Sequence, residues 1–197
     1  MKKMISLALA AMMLLTLVAC GGNSDNSSAK GGFEAESATA LMETVWNSYA
    51  EDEKFAVVGG DYDNFVDNAP GKFAHDNAEY MDGMLAIPAD ATAMVDDAAS
   101  MMHMMNANTF TCGAYHLTDA NAVDAFAQTM RDTIMNNQWM CGFPDKLIIA
   151  KVGASNVVVM FGACSEYGDA VTPVITGLQE AYGESVSVLF DEFIAVG

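Results

Sequence analysis

The chain has 197 residues, with 26 acidic against 8 basic side chains, a formal charge of −18, 52% hydrophobic content and 17% charged content. That length supports one domain with a buried core, and the apolar content argues against a wholly disordered chain. The acidity argues against nucleic acid as a partner, because phosphate binding rests on Lys and Arg.

Lys2 and Lys3 form a basic start, and an apolar run from Met4 to Val18 follows, interrupted only by Ser6 and Thr16. The run is short for a spanning helix, which needs about 20 residues, and suits the apolar region of a secretory signal. It ends in Leu17-Val18-Ala19-Cys20. This stretch resembles a bacterial lipoprotein signal peptide, whose lipobox ends in a Leu, two small residues and a Cys. The resemblance implies cleavage between Ala19 and Cys20, a diacylglyceryl and acyl anchor on Cys20, and a place on the extracytoplasmic face of the cell membrane. Removing residues 1–19 deletes two lysines and no acid, so the mature chain is two charges more negative. Such a head is repelled by anionic lipid, which confines membrane contact to the anchor in the bilayer. Residues 21–32 carry no large apolar side chain, and 20–36 read as lipidated cysteine plus flexible tether.

Ser37 is a candidate N-cap, and Leu41, Met42, Val45, Trp46 and Tyr49 then recur at helical spacing, predicting a helix over 38–50. Residues 51–88 are punctuated by Gly59-Gly60-Asp61, Pro70-Gly71 and Pro88, which predicts loops and brief turns. Pro88-Ala89-Asp90 opens a short helix predicted to run to about Ala99. Thr109–Leu117 reads as a strand. Thr118 or Asp119 then caps a helix whose buried face is Val123, Phe126, Ala127, Met130 and Ile134, with Gly142, Pro144 and Asp145 breaking it. Leu147–Val152 and Val157–Phe161 read as strands around a turn at 153–156. Thr172-Pro173 starts a helix that Gly183 stops, with Val174, Leu178, Ala181 and Tyr182 as its stripe. Val186–Phe190 is the last strand.

The order β-α-β-β-α-β predicts an α+β fold with a ferredoxin-like antiparallel sheet over 108–197, both helices on one face. Residues 37–107 read as a helical, loop-rich extension. Val157–Phe161 is apolar on both faces, so the second face needs a cover, supplied by the N-terminal helix or a partner protein. The stretch from Met104-Met105-Asn106 through the strand, the helix, Arg131 and the hairpin is similar to small uncharacterised lipoproteins of gut Firmicutes. That likeness implies location and fold but no activity.

Three cysteines remain beside Cys20, an odd number: Cys112, Cys141 and Cys164. The predicted topology puts all three at one end of the domain, where buried thiols compete with a Cys112–Cys164 disulfide, or with Cys141 replacing either partner. Met101, Met102, His103, Met104 and Met105 are soft ligands that, with Cys112, could hold Cu(I); the compact, unrepeated run equally suits packing or a partner surface. Asp61, Asp63, Asn64, Asp67 and Asn68 have oxygen-ligand chemistry, but Phe65, Val66 and Lys72 fall where a calcium loop needs an oxygen ligand, Gly and Glu, so a solvated loop is expected. His75, His103 and His116 are far apart in sequence, and Cys112 and His116 share a strand face about 13 Å apart, too far for proton transfer. Trp46, Trp139, Phe143 and Tyr167 read as core and loop anchors more readily than as cleft lining. The chain has no HExxH, GxSxG, Walker or GxGxxG motif. The expectation is a non-enzymatic, membrane-anchored module without a cofactor that binds a ligand or protein. A copper-binding lipoprotein and an accessory subunit of a surface transporter or enzyme complex are the alternatives.

Overall fold

Ser37 sits in extended backbone and its hydroxyl accepts the Ala40 N–H at 3.1 Å, closing the first turn of α1 (Ala38–Ser48) as expected. A second tie is distant in sequence: the Ala38 N–H donates to Asp97 at 2.8 Å. Three brief strands follow, β1 (Val57–Gly59), β2 (Val66–Asp67) and β3 (Gly71–Phe73). Gly59 and Gly71 are required by close approach, since a Cβ on Gly59 would lie 2.2 Å from the Gly71 nitrogen. Asn77 caps α2 (Ala78–Leu85) through the Tyr80 N–H, and the single turn α3 (Ala89–Thr92) comes next. The computed structural model describes residues 35–165 and 168–195.

Here the sequence reading needs correction. The helix predicted to run to about Ala99 stops at Thr92, and β4 (Val95–His103) takes its place. Asp96, Asp97 and three small residues conceal the strand, and both of its faces are covered over most of its length, so no alternation survives. The expected strands and helices then appear: β5 (Phe110–Leu117), α4 (Val123–Met135), β6 (Lys146–Val152), β7 (Asn156–Gly162) and, after a small hairpin of β8 (Cys164–Ser165) and β9 (Gly168–Asp169), α5 (Thr172–Tyr182) and β10 (Val186–Phe193). Thr172, expected as the N-cap, is the first helical residue. Asp169 supplies the missing acceptor, taking the Val171 and Thr172 N–H groups at 3.1 and 2.8 Å.

The fold is α+β with an antiparallel main sheet in the order β10-β6-β7-β5-β4-β1-β2, with β3 also paired to β4. A ferredoxin-like sheet would place the last strand beside the first. Instead β10 borders β6, because the other edge of β5 is taken by β4. The two βαβ crossovers, β5-α4-β6 and β7-α5-β10, are each split by one intervening strand and step the same way along the sheet. They start from antiparallel strands, so crossovers of one hand must put their helices on opposite faces. The expectation of both on one face is thereby overturned. Phe126, Met130 and Ile134 of α4 pack with Met81, Leu85, Tyr115 and Val159 on one side. Leu41 and Val45 of α1 pack with Val174 and Leu178 of α5 over Ile148, Val158 and Met160 on the other. The N-terminal helix does help cover the second face, in company with α5. β7 is buried throughout, as a strand covered on both sides should be.

Segment 37–107 thus contributes β1 to β4 to the same sheet. At the far edge β10 carries a register shift between Val188 and Phe190. Glu192 on that strand accepts two hydrogen bonds from the Arg131 guanidinium, at 2.8 and 2.7 Å, and Asp191 pairs with Lys146 at 3.0 Å.

Candidate functional site

Where α1 ends, the chain turns across the end of the sheet and opens a cleft of about 530 Å³. Its walls come from Tyr49, Glu53 and Phe55 after α1, His103 at the end of β4, Thr109 before β5, Ala163 after β7, and Gly168, Asp169, Ala170 and Pro173 around the start of α5. Phe55 is the hub of a ring cluster. It lies 5.9 Å from Tyr49, 5.8 Å from Trp46, 5.2 Å from Phe110, and 5.7 Å from the His103 ring, which stacks on it at 19°. The Lys54 ammonium sits 5.4 Å over the Trp46 ring of the same cluster and pairs with Glu51 at 2.6 Å.

The polar groups of the cleft are held by structure. The Tyr49 hydroxyl donates to the Ala170 carbonyl at 2.9 Å, tying the end of α1 to the start of α5, and burial pushes its pKa far up. Nδ1 of His103 accepts the Met105 and Asn106 N–H groups at 3.2 and 3.3 Å, which leaves the ring as the Nε2–H tautomer. Partial burial pushes the Asp169 carboxyl up, but hydrogen bonds from Thr172, Val171 and the Cys164 thiol outweigh it and hold the group below the usual carboxylate range. Cys164 is affected in the opposite sense. Burial and then the Asp169 charge raise its pKa, so the thiol stays protonated and donates to the carboxylate. A nucleophilic cysteine needs the reverse environment.

The methionine run is divided by the strand it ends. Met101 faces the α1–α5 core and Met102 the α4 core, both buried, while Met104 and Met105 are 43% and 83% exposed beyond the strand. The set does not converge on one point with Cys112, whose thiol is buried and 3.7 Å from the Met42 sulfur. The loop that follows β4 and carries the outer methionines instead joins the loop after α4 through its asparagines. Asn106 donates to the Cys141 carbonyl, and Asn108 to the Met140 and Gly142 carbonyls, at 2.8 to 2.9 Å. Met140 and Phe143 are exposed there, and the joined loops 103–109 and 136–144 contain no Asp, Glu, Lys or Arg.

The cysteines also separate. Cys112, Cys141 and Cys164 are all free, respectively buried, exposed and half-buried. Cys112 lies inside β5 opposite Met101 and Met160, not at the end of the sheet. Because Phe110 pairs with Gly162, Cys112 stands two residues inside that pair and Cys164 two beyond it. Four strand residues span about 13 Å, well past the separation of about 7 Å that a disulfide allows. Cys20 and Tyr167 lie outside the described residues.

Asp61 is buried because its carboxylate closes its own loop, accepting the Asp63, Asn64 and Ala74 N–H groups at 2.9 to 3.1 Å. Asp67 and Asn68 fall on or after β2, away from that turn. His116 bonds Asp96 at 2.5 Å on the surface, and Trp139 packs on Phe161 at 5.2 Å as an anchor. Trp46 is a core anchor as expected, but Phe143 is 55% exposed.

Comparison with known protein families, curated proteins and solved structures yields no match for the chain. The cleft therefore has to be read from its own chemistry. Sequence reasoning found its neighbours Trp46 and His103 but not Glu53, Phe55, Thr109 or Asp169. The signal available in the sequence was the cluster Trp46, Tyr49 and Phe55 beside an acid-rich turn.

Proposed function

We propose that the protein is an extracytoplasmic lipoprotein, anchored through an acylated Cys20, whose head is a non-catalytic module that binds a small ligand in the cleft at Phe55. The observation that carries the binding reading is the cleft itself. It falls within the range of roughly 300–1,000 Å³ usual for small-molecule sites and combines an aromatic wall with a few fixed polar groups. Support for a non-catalytic role comes from Asp169 in its wall, whose carboxylate is occupied in capping α5, and from the neighbouring Cys164 thiol, which is kept protonated. The anchor is supported by Leu17-Val18-Ala19-Cys20, and the acidic head favours standing clear of anionic lipid. A protein partner, such as a transporter or enzyme that the head serves, is favoured by one further observation, the uncharged surface of Met104, Met105, Met140 and Phe143.

Two measurements test this. Cells fed a palmitate analogue should label the wild-type chain and not Cys20→Ala; labelling that persists in the variant overturns the anchor. A fragment screen by NMR on the full chain in detergent should move the signals of Phe55, His103 and Ala170. Hits that shift only signals elsewhere overturn the cleft as the site.

A further inference from the structure

We infer that the cleft recognises a small organic cation, an amine or quaternary ammonium group on a compact apolar body. This rests on the cleft being the binding site proposed above. Three observations point to the ligand's charge. The first is the wall, where the Phe55 ring lies within 6 Å of both the Tyr49 and the His103 rings and all three line the space; aromatic ring faces attract cations through their quadrupoles. The second is charge complementarity. Glu53 and Asp169 are the carboxylates among the lining residues, and no Lys or Arg is among them. Asp169 is held in place by the Val171 and Thr172 N–H groups, so it does not have to reorganise when a cation arrives. The third is a precedent inside the protein. Lys54 places its ammonium over Trp46 while pairing with Glu51, so this ring cluster already hosts one cation by the same combination of ring face and carboxylate. An anionic ligand would meet Glu53, Asp169 and the field of a chain with formal charge −18.

The ammonium could belong to a free molecule or to a lipid headgroup. The headgroup carries a phosphate that the two carboxylates oppose, so we assign the site to the free cation. The test is titration calorimetry of the full chain in nonionic detergent, with benzyltrimethylammonium, benzyl alcohol, 3-phenylpropionate and phosphocholine as probes. Benzyltrimethylammonium should bind tightest and should weaken as salt rises. The exposed Glu53→Gln should weaken it about 2- to 5-fold, and Phe55→Leu about 3- to 30-fold, with unfolding midpoints measured alongside to show that both variants are folded. Binding of benzyl alcohol or 3-phenylpropionate as tight as that of the cation would overturn the charge assignment and leave the cleft reading standing. Tighter binding of phosphocholine would overturn the free-cation source. Failure of every probe, with no cleft signal moved in the fragment screen, would overturn the cleft as well.

Discussion

Gly177 is the point where α5 meets α1, and replacing it with Ala sets two effects against each other. In an unobstructed helix Ala is favoured over Gly by about 1 kcal/mol. Here the new Cβ would stand 2.1 Å from the Ser48 Oγ and 2.6 Å from the Ser48 Cβ. Rotating the hydroxyl away removes its 2.7 Å bond to the Val45 carbonyl and still leaves the carbon–carbon contact more than 1 Å too close, so the helices must part. Overpacking of this kind costs about 1–3 kcal/mol, and the lost hydrogen bond about 1 kcal/mol. After the propensity gain, Gly177→Ala should destabilise by about 1–3 kcal/mol, or roughly 2–12 °C in Tm for a domain of this size. Because Ser48 adjoins Tyr49 and Gly177 lies one turn beyond Pro173, the same parting should weaken binding in the cleft. Urea unfolding of Gly177→Ala, Ser48→Gly and the double variant separates the terms. The double variant should be more stable than the sum of the two singles by about 1 kcal/mol or more. A Gly177→Ala protein more stable than wild type would refute the close approach of α1 and α5.

Tyr49→Phe leaves the Ala170 carbonyl without its donor and should cost about 1–2 kcal/mol, read as a lower urea midpoint at unchanged slope; an unchanged midpoint argues against that tie. Iodoacetamide followed by peptide mapping should modify exposed Cys141 first and Cys164 more slowly, with Cys112 reacting only on unfolding; labelling of Cys112 at the rate of Cys141 would contradict its burial. The folded pKa of Asp169 is depressed, so its stabilising contribution is present above the unfolded value of about 3.9 and is lost as pH falls through the folded value. The stability gap between wild type and Asp169→Asn should therefore be full above about pH 4 and close below it, and a gap independent of pH between 2 and 6 would count against that assignment.

Much of the local structure was legible because each element carried its own punctuation. Ser37 caps α1 as expected, α4 buries the predicted stripe from Val123 to Ile134, and Gly183 ends α5 at a positive φ of 54°. β4 was hidden because its strand character comes from partners. Val95–His103 is made extended by pairing with β5 on one side and with β1 and β3 on the other, which overrides the small and acidic residues within it. That omission also cost the strand order. With β4 unseen, the outer edge of β5 looked free for the last strand. The cleft was illegible for a related reason, since its walls come from five separated stretches between Tyr49 and Pro173 that only the sheet order brings together.

The rim formed by β10 bears on how copies of this protein meet edge to edge. An outermost strand presents unpaired backbone groups that can template the addition of another chain. β10 is eight residues long and exposes Val188 and Phe193, which makes it the natural place for such growth. Its irregularity between Val188 and Phe190 interrupts the regular spacing a newcomer would have to match. Asp191 and Glu192 stand beside that interruption, tethered to Lys146 and Arg131, and present charge to any approaching edge. The broken register and the two carboxylates together disfavour edge-to-edge growth between copies of the chain.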